Sequence, residues 1–200
     1  MRANSMASTT FLEAGSSTGP DIQSALRALH QESVAYWDAL ETHTFLAPIG
    51  DAWSPADNIR HLTKSMRAVT QALRVPRFVL RLAFGTASAP SRSYASVCEI
   101  YRARLARGAS AGRFAPRAQP VPSDPDAVRA RIMASHAASI AALCAAITQW
   151  PEPSLDARRL PHPLIGRLTV REMLLFTVYH NRHHLENVQR RFASAPTGTT

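Results

Sequence analysis

Three histidines fall within five positions of the segment YHNRHHLENV (179–188). Imidazole is a mediocre helix former that titrates near neutrality, so neither a dry core nor a solubilising surface accounts for such a cluster. On a helix, at about 100° per residue, His180 and His184 lie only about 40° apart, whereas His183 sits about 60° from His180 on the other side. The face they share runs back through Thr177 and Met173 and forward to Val188, so the pair looks inward. Two imidazoles buried with nothing to bind are costly, and a divalent cation removes the cost, because neutral imidazole nitrogen is a good ligand for Zn²⁺, Ni²⁺ or Fe²⁺.

Such a pair needs a third ligand. His61 is preferred, on the face Asn58, His61, Ser65, Ala68, Ala72, whose small residues would let its helix approach a neighbour closely. His136 competes from an apolar stripe, although a core histidine bonded to a backbone group or to a ligand fits it better. An i, i+4 histidine pair also arises by chance on solvated helices, and His183 reads as a cavity wall or an exposed residue. His30, His43 and His162 have no helical partner histidine and receive no role, with His162 in LPHPLIG placed near a bundle end. Asp57, Asn58, Glu186 and Asn187 lie within a turn of the histidines and are candidates to orient ligands or bind substrate. For Asp57, helix capping is the simpler reading. Tyr36, Trp37 and Tyr179 suit a pocket or a core, and aromatic residues at helical spacing favour the core. No Ser/His/Asp or Cys/His arrangement is legible.

The elements that must carry these residues are helices. Ile22, Leu26, Leu29, Ser33, Tyr36 and Leu40 mark one helical face after Gly19-Pro20, and a break follows at APIGDAW (47–53). Ser54-Pro55-Ala56-Asp57 then supplies an N-cap serine, a proline at the first helical position and a first-turn acid. That second helix presents Leu62, Met66, Val69 and Leu73 to the core before Pro76 ends it. A third opens at Asp124-Pro125-Asp126 and runs through Val128, Ile132, His136, Ser139, Leu143 and Ile147 to Trp150, where Pro151 and Pro153 stop it. The capping box Thr169-Val170-Arg171-Glu172 opens a fourth, to about Phe192. Between the second and third, residues 91–108 predict a shorter helix ended by Gly108, followed by the Gly/Pro-rich loop GASAGRFAPRAQPVPSD. No alternating strand pattern and no repeat is visible, so the expected fold is all-α: a four-helix bundle with an extra short helix and a long loop between helices two and three.

A chain of 200 residues suits one domain. The expected organisation is a disordered leader over 1–19, a helical bundle over 20–192 and a disordered tail over 193–200. The formal net charge of +9 rests almost wholly on arginine, Lys64 being the single lysine. The arginines are scattered and lack interleaved aromatics, so a solvated surface is favoured over a nucleic-acid reader. Cys98 and Cys144 stand far apart, with no CxxC pair or disulfide framework, which fits a reducing cytoplasm. The N-terminal segment has no apolar signal-like run, and the apolar run Ala137–Ile147 is too short to cross a bilayer, so no membrane partner is expected.

The pairing of WSPADNIRHL (53–62) with HPLIGRLTVREMLLFTVYHNRHHLENV (162–188) resembles the DinB/YfiT-like superfamily of metalloenzymes, over about residues 20–192. The specific part of the likeness is one histidine after W-S-P followed much later by H-x3-H. The resemblance implies a four-helix bundle holding a divalent metal on His61, His180 and His184. Three protein ligands leave a coordination position open, as at catalytic sites, where water ionises near neutrality or a thiol binds as thiolate. The fold is similar to that of transferases and isomerases using low-molecular-weight thiols such as bacillithiol and mycothiol, so thiol-dependent S-transfer is the leading expectation. A metal-dependent hydrolase is the enzymatic alternative. A non-catalytic helical module, binding metal or nucleic acid, is the other class and predicts a sealed metal site or none. Bundles of this type are commonly homodimers. The long Arg/Pro-rich loop after Gly108 departs from the pattern and is a candidate lid, and nothing matches a fused partner enzyme, so the resemblance does not carry a specific reaction.

Overall fold

Capping chemistry sets where the long helices begin. The computed structural model describes residues 17–117 and 119–194. In chain order they form α1 (Gly19–Asp38), α2 (Thr42–Leu46), α3 (Pro55–Arg74), α4 (Arg77–Phe84), α5 (Tyr94–Ala106), a 3-10 turn (Gly112–Phe114), α6 (Pro125–Thr148), α7 (Glu152–Ala157), a hairpin of β1 (Arg159–His162) and β2 (Gly166–Thr169), and α8 (Val170–Ser194). Ser54 accepts from the Asp57 amide at 3.0 Å and Asp124 from the Ala127 amide at 2.9 Å, starting α3 and α6. Caps of this kind contribute about 1 kcal/mol each.

The capping box of α8 reaches further than its own helix. Thr169 Oγ1 accepts from the Glu172 amide at 3.1 Å, and Glu172 Oε2 accepts from the Thr169 amide at 2.9 Å. The same carboxylate takes the Arg92 amide and guanidinium at 2.8–3.0 Å. Burial pushes the Glu172 carboxyl up, but the hydrogen bonds from Arg92 and Thr169 outweigh it and hold the group below the usual carboxylate range. One buried carboxylate therefore joins the hairpin, the entry to α5 and the start of α8.

α3 packs on α6, α6 on α1, α1 on α8 and α8 on α3, which closes a four-helix ring. Ile22, Leu26, Ile59, Met66, Leu143 and Leu174 are fully buried inside it. At about 1.5–3 kcal/mol for each large apolar side chain, this core dominates the favourable side of folding. The stripe expected on α3 is buried at Leu62, Met66 and Leu73 and half-buried at Val69. α6 is long and apolar enough to cross a membrane by length and composition, unlike the shorter run read from the sequence, but Ile132, Ile140, Leu143 and Ile147 face the interior of the bundle.

Several expectations are corrected. The segment between the second and third long helices holds two helices, α4 and α5, because Pro76 ends one helix and caps the next. A short helix, α2, lies between α1 and the expected break at 47–53, and α7 follows the proline stop after α6. The hairpin pairs Leu160 with Leu168 and His162 with Gly166. Its four-residue strands, one carrying Pro161, are too short to show an alternating pattern. Thr18 caps α1 and α8 runs to Ser194, so the ends of the bundle lie one or two residues beyond the expected bounds. The rest of the expected leader and tail lies outside the described residues.

Candidate metal centre

α3 and α8 cross so that three imidazoles meet. His180 Nε2 lies 3.0 Å from His61 Nε2 and 3.1 Å from His184 Nε2, and one ligand nitrogen from each of the three residues falls within 4.8 Å of the others. All three side chains are buried. The outer nitrogens settle the protonation. His61 Nδ1 is 2.9 Å from the Phe114 carbonyl, which only accepts, so Nδ1 carries the proton and Nε2 is bare. His184 Nδ1 is 2.6 Å from Asn58 Oδ1, and the Asn58 amide is oriented by its own Nδ2, which donates to the Ser54 carbonyl at 2.9 Å. His184 Nε2 is therefore bare as well.

Two bare nitrogens thus face His180 Nε2, which has at most one proton to share between them. At least one buried lone pair is left over in a cluster of imidazoles alone, and a cation satisfies all three. The two separations from His180 Nε2, 3.0 and 3.1 Å, are close to the roughly 3.3 Å edge of a tetrahedron with zinc–nitrogen bonds of about 2.0–2.1 Å. Burial lowers the pKa of His61, against the raising effect of the Phe114 bond, and the Lys64 charge lowers it further. Burial and the neighbouring imidazoles drive His180 and His184 well below the usual histidine range. All three rings are consequently neutral at pH 7, the form that ligates metal.

A cavity of about 220 Å³ opens onto this cluster. Its walls are Trp53, Tyr101, Leu105, Phe114, Leu164, Met173 and Phe176, with His162, His183, Ser65 and Ser110 as polar additions. Trp53 lies parallel to His184 with ring centroids 6.1 Å apart, and Phe176 stacks on His180 at 5.0 Å. The aromatic walls thereby hold the His180 and His184 rings. The loop after Gly108 forms one side through Ala109–Ala111 and Phe114, and the hairpin turn forms another through Pro161–Leu164. His162 Nδ1 accepts from the Leu164 and Ile165 amides at 3.1 and 3.2 Å, and burial pushes its pKa down to about 4. Burial pushes the Tyr101 hydroxyl up to about 12, with Tyr179 adding to the effect.

The fold brings together the preferred trio and leaves the competitor out. His136 packs edge-on to His30 at 5.5 Å and lies 3.2 Å from Thr63 Oγ1, apart from the cluster. Asn58 orients the His184 ring, whereas Asp57 pairs with Arg60 at 2.9 Å near the helix start. Asn187 bonds His183, which lines the cavity, and the Glu186 carboxylate lies 4.0 Å from Arg182. Trp37 is core, Tyr36 packs against it, and Tyr179 accepts from Arg102, so none of these three lines the cavity. On the small face of α3, Ser65 lines the cavity, Ala68 lines a neighbouring groove and Ala72 packs against the core. Trp53, Tyr101, Phe114 and His162 were not singled out for this site from the sequence. The tryptophan beside the α3 cap was the one local signal available.

Tertiary structure also gathers charge that looked scattered. Arg60, Lys64, Arg67, Arg113 and Arg131 line a groove on α3 and α6, with Phe114 at its edge. That ring already lies under Lys64 and Arg113, so it is not a free stacking platform for a base.

No curated protein and no solved structure matches the chain. The family model for the DinB superfamily matches residues 25–188, a span that contains all three clustered histidines, and the chain belongs to that superfamily.

Proposed function

We propose that this chain is a metal-dependent enzyme in which His61, His180 and His184 hold a divalent zinc, nickel or iron ion, and that it transfers the thiolate group of a low-molecular-weight thiol to a small electrophile. In that reaction the thiol loses its proton, its sulfur forms a carbon–sulfur bond, and a leaving group departs with the electron pair. The observation that carries the reading is the convergence of three buried Nε2 atoms at one wall of an apolar cavity, two of them stripped of protons by their outer partners. A bound ion there supplies Lewis acidity and stabilises a thiolate at neutral pH.

The chain's own residues do the rest. Phe114 O and Asn58 Oδ1 hold His61 and His184 in the ligating tautomer. Trp53, Phe114 and Phe176 limit water around the reacting atoms and restrict the substrate to a compact organic molecule. An open cavity at the cluster favours an enzyme over a sealed structural metal site. The proposal includes a homodimer, for which the exposed Phe78 and Leu82 of α4 offer an apolar surface, and a cytoplasmic location, with which the buried thiols of Cys98 and Cys144, in no disulfide among the described residues, agree.

The test is metal analysis of purified protein beside His61→Ala, followed by a screen of thiols against electrophiles with product masses as readout. About one ion per chain is expected in the wild type and a small fraction of that in the variant. Equal metal in both overturns the ligand set. Metal-dependent turnover of an ester or amide that needs no thiol replaces the transferase with a hydrolase.

A further inference from the structure

The cavity at the histidine cluster is mostly apolar, and Tyr101 and His162 each bring to it a hydrogen-bond donor that no group among the described residues satisfies. Tyr101 is 6% exposed and sits among rings, with Phe176 at 5.0 Å, Tyr179 at 5.9 Å and His180 at 6.1 Å. Among the described residues its hydroxyl has no hydrogen-bond partner. His162 gives its Nδ1 to two backbone amides, at 3.1 and 3.2 Å, so the neutral ring must carry its proton on Nε2. That N–H also lacks a partner among the described residues. The two rings are 6.3 Å apart and line the same cavity. Both donors face an open cavity, where a ligand oxygen can take the place of water, and a site with such donors discriminates for a ligand that completes them.

We propose that Tyr101 and His162 form an acceptor subsite, donating to one oxygen of the substrate that lies a few atoms from the group reaching the histidine cluster. The rest of the molecule is then short, uncharged and apolar, because Leu105, Leu164 and Met173 bound a space of about 220 Å³. Where the reacting group sits rests on the metal-enzyme reading above. The hairpin acquires a purpose on this view: its turn amides hold the His162 tautomer, and Pro161–Leu164 wall the cavity beside Tyr101 of α5.

The test uses protein loaded with cobalt(II) and two thiols of similar size, 3-mercaptopropionamide and 3-methylbutane-1-thiol, with sulfur-to-cobalt absorption as the binding readout. Tyr101→Phe and His162→Phe are each expected to weaken the amide thiol about three- to tenfold and to leave the hydrocarbon thiol within about twofold. His162→Gln, which retains a donor, is expected to restore most of the loss. Equal weakening of both thiols, or none, overturns the subsite while leaving the metal site standing. Absence of a cobalt spectrum in the wild type overturns the metal reading and the subsite's placement with it. A metal-independent measurement is the imidazole ¹⁵N spectrum of the metal-free protein: His162 protonated on Nε2 supports the subsite, and protonation on Nδ1 overturns it.

Discussion

His184 Nδ1 donates to Asn58 Oδ1 across 2.6 Å, and Asn58 is held in that orientation by its own bond to the Ser54 carbonyl, the N-cap of α3. The cap of one helix thereby sets the tautomer of a histidine on another. Ser54 starts α3, α3 carries Asn58 and His61 on one face, and that face meets α8 at the cluster.

Asn58→Leu removes the acceptor while keeping most of the volume. Loss of an outer partner of a ligating histidine lowers metal affinity about 10–100-fold. Competition with a chromophoric chelator measures it, and thermal unfolding with circular dichroism confirms that the helices survive. Unchanged metal affinity in a folded variant removes Asn58 from the centre.

His136 separates stability from metal binding. Burial, with the His30 charge adding to it, pushes its pKa down to about 3. Below the unfolded value of about 6.5 the unfolded chain takes up a proton that the folded chain refuses, so stability present above pH 6.5 is lost as pH falls towards 3. Within that window His136 alone contributes a slope of about 1.4 kcal/mol per pH unit. Urea unfolding of metal-free protein at pH 6, 5 and 4 should show the slope reduced by about that amount in His136→Phe. The same variant should keep its full complement of metal. A variant with an unaltered slope refutes the assignment, and one without metal restores His136 as a ligand.

Glu172→Ala leaves the Thr169 and Arg92 amides without their acceptor and the Arg92 guanidinium without its partner. The expected loss is about 2–4 kcal/mol, from a cap and several bonds to a buried carboxylate, with the guanidinium share reduced because Arg92 is partly exposed. Guanidinium chloride unfolding reads the effect, and a change under about 1 kcal/mol shows that the junction of hairpin, α5 and α8 is held by packing instead.

Phe78 and Leu82 are 63% and 77% exposed on α4, beside Arg77 and Arg81. Light scattering coupled to size exclusion should find a wild-type dimer and a Leu82→Glu monomer with unchanged helicity. A monomeric wild type, or a variant that stays dimeric, rejects α4 as the contact.

Periodicity and caps were enough to predict the four long helices, because both are local: a stripe at threes and fours needs only the pitch of a helix, and a cap needs only three residues of reach. The same local geometry put His180 and His184 on one inward face. Short elements escaped because α2, α7 and the two strands span fewer residues than a period needs to repeat. The choice of His61 over His136 was different in kind. It depends on which face of α3 meets α8, across 119 positions of sequence from His61 to His180, and only packing of the four helices decides that. Packing likewise brings the Phe114 carbonyl to His61, sets Trp53 against His184 and assembles Tyr101 with His162, since contacts between distant segments follow from how the cores fill and not from the spacing of residues along the chain.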